Sequence, residues 1–377
     1  MILNKNTSNK KPFYKKYKII SFPVLLLIIL ASIFSFSKVN PKPDTASDIV
    51  IRKAAADQLY RQTNIKKRPH DLTDEDFEKI TELSIIPSMG SGGSFYWTNN
   101  PALKTGELAD IQLLRKFMNL QKLYLENISV PKKNIAKWKK ILAKFGFTDL
   151  SETLSIDLNS LKNLSNLETL SLSGSQINNI KSLSGLINLK KLFLSNTGLS
   201  NLEPIRGLTS LQELNLDNTD ISNLEPIKEL VNLKHLNFYC TEVSELEPIK
   251  GLTKLETLGL CSTKITVLEP VRNFTNLYNL DISSTQVSNL EPIKNLTNLQ
   301  YLNLVSTQVS DLEPIRKLSN LEILQIGDTP VSNIESVKEL KQLEYIYMEN
   351  CMKISEKQTK DLQMALPNLK ITNNAID

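Results

Sequence analysis

Cysteine and histidine, the residues from which many metal and catalytic sites are built, are scarce in this 377-residue chain. There are three cysteines without metal-ligand spacing, and the two histidines, His70 and His235, belong to no zinc motif. The sequence has no recognisable nucleophile elbow, and the segment GSGGS at 90–94 lacks the lysine of a phosphate-binding loop. We therefore expect no metal, no cofactor and no enzymatic activity.

Excess basic charge is absent outside the first residues of the chain. Residues 1–38 contain seven lysines and no acidic residue, whereas the whole chain has 45 basic and 40 acidic residues. The formal net charge of +5 thus comes from this segment, and the remainder is about neutral. Because a neutral body lacks the basic surface that binds nucleic acid, no nucleic-acid partner is predicted.

One long apolar run, residues 19–36, follows a basic segment at residues 1–18. The run lies at the lower end of the length of a membrane-spanning helix and is longer than the usual core of a signal peptide. Its end forms only a weak cleavage site, and no cysteine for lipid attachment precedes Cys240. The pattern favours a membrane-spanning signal anchor, with the lysines in the cytoplasm and the later residues in the periplasm or on the cell surface. Cleavage of the signal would instead give a secreted protein.

The main feature of the sequence is a 22-residue unit that recurs eight times from Leu167 to Gln342, with Leu343 opening a ninth unit. The period has no insertion or deletion, which is typical of a repeat architecture. Unit positions 3 to 7 alternate polar and apolar residues, as in a half-buried strand. Too few residues remain for a crossover helix, so turns and one short helical turn must close each coil. The pattern predicts a solenoid with one parallel sheet.

Other unit positions carry recurring polar signals. Glu-Pro-Ile or Glu-Pro-Val occupies positions 15–17 in six units, where proline suits the first turn of a short helix. We expect the glutamate to pair with the Lys or Arg at position 18 on the solvent-exposed convex side. Threonine occupies position 9 in seven units, and its hydroxyl is predicted to bond the backbone of the neighbouring coil and so form a ladder.

The motif L-x-x-L-x-L-x-x-T-x-I/V-S-x-L-E-P-I resembles the 22-residue leucine-rich repeat of bacterial internalin-type proteins, which usually have asparagine at position 9. The resemblance implies an α/β fold: a right-handed leucine-rich repeat solenoid with a curved parallel sheet on the concave face, short 3-10 turns on the convex face and helical caps at both ends. It also implies recognition of another protein by the concave sheet, without catalysis, and it identifies no partner.

The segments outside the regular units are assigned around this solenoid. We predict a linker at 37–48, an N-terminal helical cap at 49–82, irregular repeats at 83–166, regular repeats at 167–354 and a C-terminal cap at 355–377. The N-terminal cap would shield the open edge of the first strand. Two insertions, at 86–110 and 131–157, interrupt the irregular repeats.

The insertions contain four aromatic residues that are possible secondary contacts. The first insertion is either a contact loop that presents Phe95, Tyr96 and Trp97 or a flexible segment that tucks them against the cap. The second contains a lysine-rich amphipathic helix with Trp138. That helix either lies on a membrane surface or packs its apolar stripe on the flank of the solenoid, and we favour the second alternative.

Candidate binding residues stand at unit positions 3, 5 and 7, which face outward from the concave sheet. Nine strands supply 27 such residues, about the size of one side of a standard protein interface. Exposed aromatic residues often anchor interfaces, although aromatic residues also suit β-surfaces in general. The aromatic and apolar candidates, with one histidine, are Phe193, His235, Tyr239, Tyr301, Val305, Ile323, Tyr345 and Tyr347.

Two functions follow from these expectations. The first is an exported, membrane-anchored protein that binds another protein through the concave sheet. The second is a structural or assembly component of the envelope that associates with itself through the insertions or the solenoid ends.

Cys240 and Cys261 lie on adjacent coils, but their side chains should point to different sides of the strand, so free thiols are favoured over a disulfide.

Overall fold

A computed structural model describes residues 46–85, 88–89, 95–96, 112–126, 156–175 and 177–372. The basic segment, the apolar run at 19–36, Trp97 and Trp138 lie outside the described residues. Within the described ranges, none of the helices has both the length and the apolar character needed to cross a membrane.

Among the described residues, three α-helices are present, at the two ends of the solenoid. They are α1 (Ala46–Thr63), α2 (Asp74–Glu78) and α3 (Glu356–Ala365). Helix α1 begins inside the segment assigned to the linker, and it buries Ile51, Ala55 and Leu59 completely. Helix α3 starts after the N-cap Ser355, whose side chain accepts a hydrogen bond from the backbone nitrogen of Gln358, and it ends before Pro367.

Sixteen short strands are present in the described residues. They are β1 (Glu82–Ile85), β2 (Ser88–Met89), β3 (Phe95–Tyr96), β4 (Lys122–Leu125), β5 (Ile156–Asp157), β6 (Thr169–Ser171), β7 (Ile177–Asn179), β8 (Lys191–Phe193), β9 (Glu213–Asn215), β10 (His235–Asn237), β11 (Thr257–Gly259), β12 (Asn279–Asp281), β13 (Tyr301–Asn303), β14 (Ile323–Gln325), β15 (Tyr345–Tyr347) and β16 (Lys370–Thr372).

Twelve of these strands form one parallel sheet in the order β1, β4, β6, β8 to β16. Strands β2 and β3 form an antiparallel pair, and β5 and β7 a parallel pair. Between successive strands from β1 to β15 of the large sheet the chain returns through 3-10 turns, and six of these turns contain the predicted Glu-Pro-Ile or Glu-Pro-Val. Helix α1 packs at the β1 edge of the sheet, and α3 follows β15. The architecture is the predicted leucine-rich repeat solenoid with helical caps.

Strands β8 to β15 are only three residues long, shorter than the alternating pattern predicts. The residue at unit position 8 has a positive φ of 52 to 58° and turns the chain away from the sheet. Seven of the eight residues there are asparagine, serine or aspartate, and short polar side chains of this kind tolerate the left-handed region best when they can bond locally. They are Asn196, Asn218, Cys240, Ser262, Ser284, Ser306, Asp328 and Asn350.

The prediction that the position-9 threonines form a ladder between coils is wrong. Each hydroxyl donates instead to the backbone carbonyl three residues earlier in its own coil, at 2.6 to 2.8 Å. The preceding left-handed residue turns the chain back, which brings this hydroxyl toward that carbonyl. The serine at the same position of the first regular unit, Ser175, does reach the preceding coil, through the carbonyl of Leu125.

Asparagines at unit position 22 connect neighbouring coils. The side-chain nitrogen of each donates to a backbone carbonyl of the preceding coil at 2.7 to 3.1 Å, and we refer to these residues as the asparagine ladder. These bonds satisfy carbonyl groups at the turn before each strand. The ladder consists of Asn166, Asn188, Asn232, Asn276, Asn298 and Asn320.

The core runs through the whole solenoid as one cluster of buried leucine, isoleucine, valine and phenylalanine side chains. At the N-terminal end, the rings of Phe77 and Phe117 lie 4.9 Å apart and join the cap to the first coils. At the C-terminal end, Leu362, Leu366 and Leu369 belong to the same buried cluster. The predicted pairs between positions 15 and 18 are confirmed in all seven coils from Glu203–Arg206 to Glu335–Lys338.

Candidate protein-binding face

The register of the parallel strands sets the geometry of the sheet face, which we define as unit positions 3, 5 and 7 of the coils of β8 to β15. Each strand pairs with the next at equivalent unit positions, without a shift. Side chains at one unit position therefore form a row across the sheet, with neighbours roughly 4.8 Å apart. The rows form a continuous surface, so a substitution at one of these positions alters a single place on the sheet face.

The C-terminal part of the sheet face carries the aromatic patch, which consists of Tyr301, Ile323, Tyr345 and Tyr347. Tyr301 pairs with Ile323, and Ile323 with Tyr345, on three successive strands. The rings of Tyr345 and Tyr347 are nearly parallel, with centroids 6.4 Å apart and an interplanar angle of 10°. All four side chains are half-buried. The strand register and the stacked rings thus make these four residues neighbours.

Lys370, in the last strand, borders this patch and was missed from the sequence. It pairs with Tyr345 across β15 and β16. Its Nζ atom lies 4.5 Å from the centroid of the Tyr345 ring and donates to the hydroxyl of Tyr345 at 2.7 Å. This hydrogen bond is the main cause that raises the pKa of the Lys370 amine. Lys370 could have been found from the strand register, because it occupies the place next to Tyr345 in the same row of side chains.

Tyr239, in the middle of the sheet face, lies across the neighbouring strand over Gly259. A Cβ atom at Gly259 would stand 2.3 Å from Cε1 of Tyr239, so a side chain here would displace the ring. The backbone nitrogen of Tyr239 donates to Oδ1 of Asp217 at 2.8 Å. Burial, and after it the carboxylates of Asp281 and Asp217, raise the pKa of the Tyr239 hydroxyl, which therefore stays protonated at neutral pH.

Two aspartates flank this tyrosine, and sequence reasoning did not single them out. Oδ1 of Asp281 accepts hydrogen bonds from the nitrogen and hydroxyl of Ser283, at 2.9 and 2.6 Å. Burial raises the pKa of Asp217, although the hydrogen bonds from Tyr239 and Asn215 oppose this effect. Burial and the charge of Asp281 also raise the pKa of Tyr301. Asp281 thus lies close to both tyrosines, whereas Asp217 lies close to Tyr239 alone.

The remaining candidates are spread over the sheet face. Phe193 lies in β8, five strands or roughly 24 Å from the aromatic patch. Nδ1 of His235 lies 3.1 Å from the hydroxyl of Thr257 on the next strand. Val305 is half-buried, and its backbone nitrogen donates to the side chain of Asn303. Phe193 and His235 therefore do not belong to the aromatic patch.

The secondary contacts are described only in part. Phe95 and Tyr96 form β3, which pairs with β2, whereas Trp97 lies outside the described residues. Trp138 and the predicted amphipathic helix also lie outside them.

A polar recess of about 930 Å³ follows the flank of the N-terminal coils beside the sheet face. Asn166, Asn188 and Asn232 line it, but their side-chain nitrogens already belong to the asparagine ladder. In the part of the chain that the structure describes, no three or more His, Cys, Asp or Glu residues are grouped so that they could hold a metal ion. The three cysteines are free, as expected for Cys240 and Cys261.

Comparison with known proteins leads to the same fold. The family model for leucine-rich repeats in two copies matches residues 187–229 and 297–339. No curated protein sequence matches the chain. The solved structure of an internalin from Listeria monocytogenes is 22% identical and covers 90% of this chain and 100% of its own, with a TM-score of 0.60.

Two further structures have comparable folds. Internalin C2 from Listeria monocytogenes is 26% identical, with coverage of 71% of this chain and 100% of its own and a TM-score of 0.52. The leucine-rich repeat ectodomain of a plant membrane receptor kinase from Arabidopsis thaliana is 24% identical, covering 69% of this chain and 33% of its own, with a TM-score of 0.50. The 22-residue repeats, the parallel sheet and these matches show that the chain has a leucine-rich repeat fold similar to that of the internalins.

Proposed function

We propose that this protein is an exported, membrane-anchored recognition scaffold that binds another protein through the sheet face. The observation that carries this function is the aromatic patch, in which the strand register aligns Tyr301, Ile323 and Tyr345. Contiguous apolar surface on a soluble domain commonly marks an interaction site. Tyrosines of this kind bury a large rigid area on binding and often dominate the binding energy.

The shape of the site favours a protein over a small metabolite. The sheet face is an open surface of three-residue strands, not an enclosed cavity. Small ligands usually bind in concave pockets that cover most of their surface. The plant receptor ectodomain of the same fold was solved in complex with CASPARIAN STRIP INTEGRITY FACTOR 2, so the architecture is compatible with such a partner.

The membrane anchor of this proposal consists of residues 19–36. The lysines of residues 1–18 would stay in the cytoplasm, and the solenoid would be exported beyond the linker at 37–48. Export would place the sheet face where a partner in the periplasm or at the cell surface can reach it.

The function is tested by removing two patch tyrosines at once. The whole chain is used to capture partners by cross-linking, and the affinity of each identified partner is then measured for the wild type and for the Tyr301→Ala, Tyr345→Ala variant. We expect the double substitution to weaken binding by roughly 2 kcal/mol or more, since anchor residues have effects of this size. The Tm should change little, because both side chains lie outside the leucine core.

A matched control is the Tyr60→Ala, Tyr278→Ala variant, which also removes two tyrosines. Both are exposed and lie outside the sheet face, Tyr60 on α1 and Tyr278 at unit position 2. The control should bind normally. If the patch variant binds normally as well, and affinity is lost when Trp97 or the 131–147 segment is altered, the function proposed here is wrong and the assembly component is the better account.

A further inference from the structure

Five residues in the middle of the sheet face form a polar group that includes two tyrosine rings, and we name this group the tyrosine-aspartate recess. It comprises Asp217, Tyr239, Gly259, Asp281 and Tyr301. Gly259 pairs with Asp281 on the next strand, and Asp281 pairs with Asn303, two residues beyond Tyr301 on β13. Asp281 is close enough to Tyr301 for its charge to raise the pKa of the tyrosine hydroxyl. Because Gly259 has no side chain, Tyr239 lies over its strand and extends toward Asp281.

The negative charge of this recess is not balanced within the sheet face. Between β9 and β15, positions 3, 5 and 7 include four acidic residues and no lysine or arginine. Glu213 is paired with Lys191 at 2.7 Å, but among the described residues neither Asp217 nor Asp281 takes part in an ion pair. Both hydrogen bonds that Asp281 accepts from Ser283 end on Oδ1. A basic group from outside would find an unpaired carboxylate.

Two tyrosine rings beside a carboxylate are a typical environment for a basic side chain. An ammonium or guanidinium group is attracted to the face of an aromatic ring and forms charge-assisted hydrogen bonds with a carboxylate. The same sheet face already holds one cation in a related way, since Lys370 lies over the ring of Tyr345 and donates to its hydroxyl. The recess differs in that its cation must come from another molecule.

We infer that the partner segment places an arginine or lysine side chain in the tyrosine-aspartate recess while an apolar side chain packs on the aromatic patch. This inference rests on the function proposed above and specifies the chemistry of the partner. Asp281 on β12 and Tyr345 on β15 are three strands apart, roughly 14 Å. About four residues of an extended chain span this distance, so one short segment can reach both places.

The probe for this inference is a phage-displayed library of short random peptides, selected on the whole chain in detergent. We expect the selected peptides to carry a basic residue roughly four positions from an aromatic or large aliphatic one. Each peptide is then synthesised a second time with citrulline in place of arginine, or norleucine in place of lysine, which removes the charge but keeps the length. The neutral peptide should bind at least about tenfold more weakly.

The protein side is tested with Asp281→Asn, which keeps the oxygen that accepts hydrogen bonds from Ser283. This variant should weaken the charged peptide by at least about tenfold and should remove most of the difference between the charged and neutral peptides, as expected for two groups in contact. Gly259→Ala should weaken the charged peptide too, since it displaces the Tyr239 ring. Asp220→Asn, at an exposed aspartate outside the sheet face, is the control and should change nothing.

The outcomes separate this inference from the proposed function. If peptides lose binding to the Tyr301→Ala, Tyr345→Ala variant but contain no basic residue, or bind equally after the charge is removed, the recess does not hold a cation, while the sheet face remains the binding site. If the selected peptides are insensitive to both the patch variant and Asp281→Asn, the proposed function fails as well. Because the citrulline and norleucine comparisons use wild-type protein, they decide the inference even if a variant does not fold.

Discussion

Asp76 is a buried carboxylate that connects α2 to the segment after α1. It is 1% exposed, and Nζ of Lys67 donates to both of its oxygens at 2.8 and 2.7 Å. The backbone nitrogen and the hydroxyl of Thr73 each donate to Oδ2 at 2.8 Å. Burial alone would raise the pKa of Asp76, but the hydrogen bonds from Lys67 and Thr73 outweigh it and lower the pKa to about 2.

We predict that this carboxylate makes the cap sensitive to acid. Its pKa is 3.8 in the unfolded chain and about 2 in the folded protein, so the unfolded state takes up the proton first as the pH falls. The stabilisation, about 2 kcal/mol, is complete above pH 4 to 5 and is lost toward pH 2. Denaturant unfolding as a function of pH should show this loss for the wild type and a flatter profile, with lower stability at pH 7, for Asp76→Asn. Asp220→Asn should follow the wild type.

Leu258 and Thr257 are adjacent residues of β11 that face opposite sides of the sheet. Leu258 is 1% exposed in the core, whereas Thr257 is half-buried on the sheet face. We predict that Leu258→Ala lowers the free energy of unfolding by roughly 2 to 5 kcal/mol through lost burial and a cavity. Thr257→Ala, which loses only the contact with His235, should cost less than about 1 kcal/mol. Equal losses in denaturant unfolding would mean that the register is wrong.

The coil is the element from which this molecule is built, and it is stable only beside its neighbours. A three-residue strand buries little by itself, so the contacts between coils close the balance against chain entropy. Backbone pairing in the sheet provides part of these contacts. The asparagine ladder provides further hydrogen bonds between coils, at the turns that precede the strands. Each coil that follows an asparagine of the ladder is therefore held to the one before it at two places.

We predict a measurable contribution from each member of the ladder. Asn298→Ala removes the bond from its side-chain nitrogen to the carbonyl of Thr275, which is 2.7 Å long. The free energy of unfolding should fall by about 1 kcal/mol, the usual net value of such a bond. Thr275→Ala is the control, since it leaves the accepting carbonyl in place and changes only an exposed side chain. If both variants unfold at the same denaturant concentration, the ladder contributes nothing to stability.

At the scale of the whole molecule, the solenoid has different surfaces for stability and for recognition. The convex side carries seven exposed ion pairs, each worth little in water. The sheet face carries the tyrosines and the unpaired aspartates that the proposals use. Both ends of the core are covered, by α1 at the first strand and by the residues of α3 beyond β15, which fits the need of a repeat protein for end caps.

The orientation of the chain in a membrane gives a prediction at this scale. If residues 19–36 span a membrane as proposed, the lysines that precede them would keep the N-terminus in the cytoplasm and the solenoid outside it. Alkaline phosphatase fused after Asp377 should be active in a bacterial host, and a reporter that works only in the cytoplasm should be silent there. Deleting residues 19–36 should reverse both signals. The reverse pattern in the undeleted fusions would contradict the proposed export.

The 22-residue period of the leucines determines the fold without any knowledge of tertiary contacts. A 22-residue unit without insertions requires every coil to have the same shape, and a slip of one residue would move Leu258 from the core to the surface. The sheet, the return turns, the convex ion pairs and the row of Tyr301, Ile323 and Tyr345 follow from position in the unit alone. These features repeat, so a local pattern is enough to predict them.

Only the tertiary structure decided which side chains meet between coils. The threonine hydroxyls turn back to their own coil, and the ladder is made by asparagines whose spacing looked unremarkable in the sequence. Tyr239 lies over Gly259, and Lys370 over Tyr345, although the residues of each pair are at least 20 positions apart in the sequence. Such contacts depend on the direction that each side chain takes across a neighbouring strand, and that direction is set by the packing of the coils, not by the repeat within one of them.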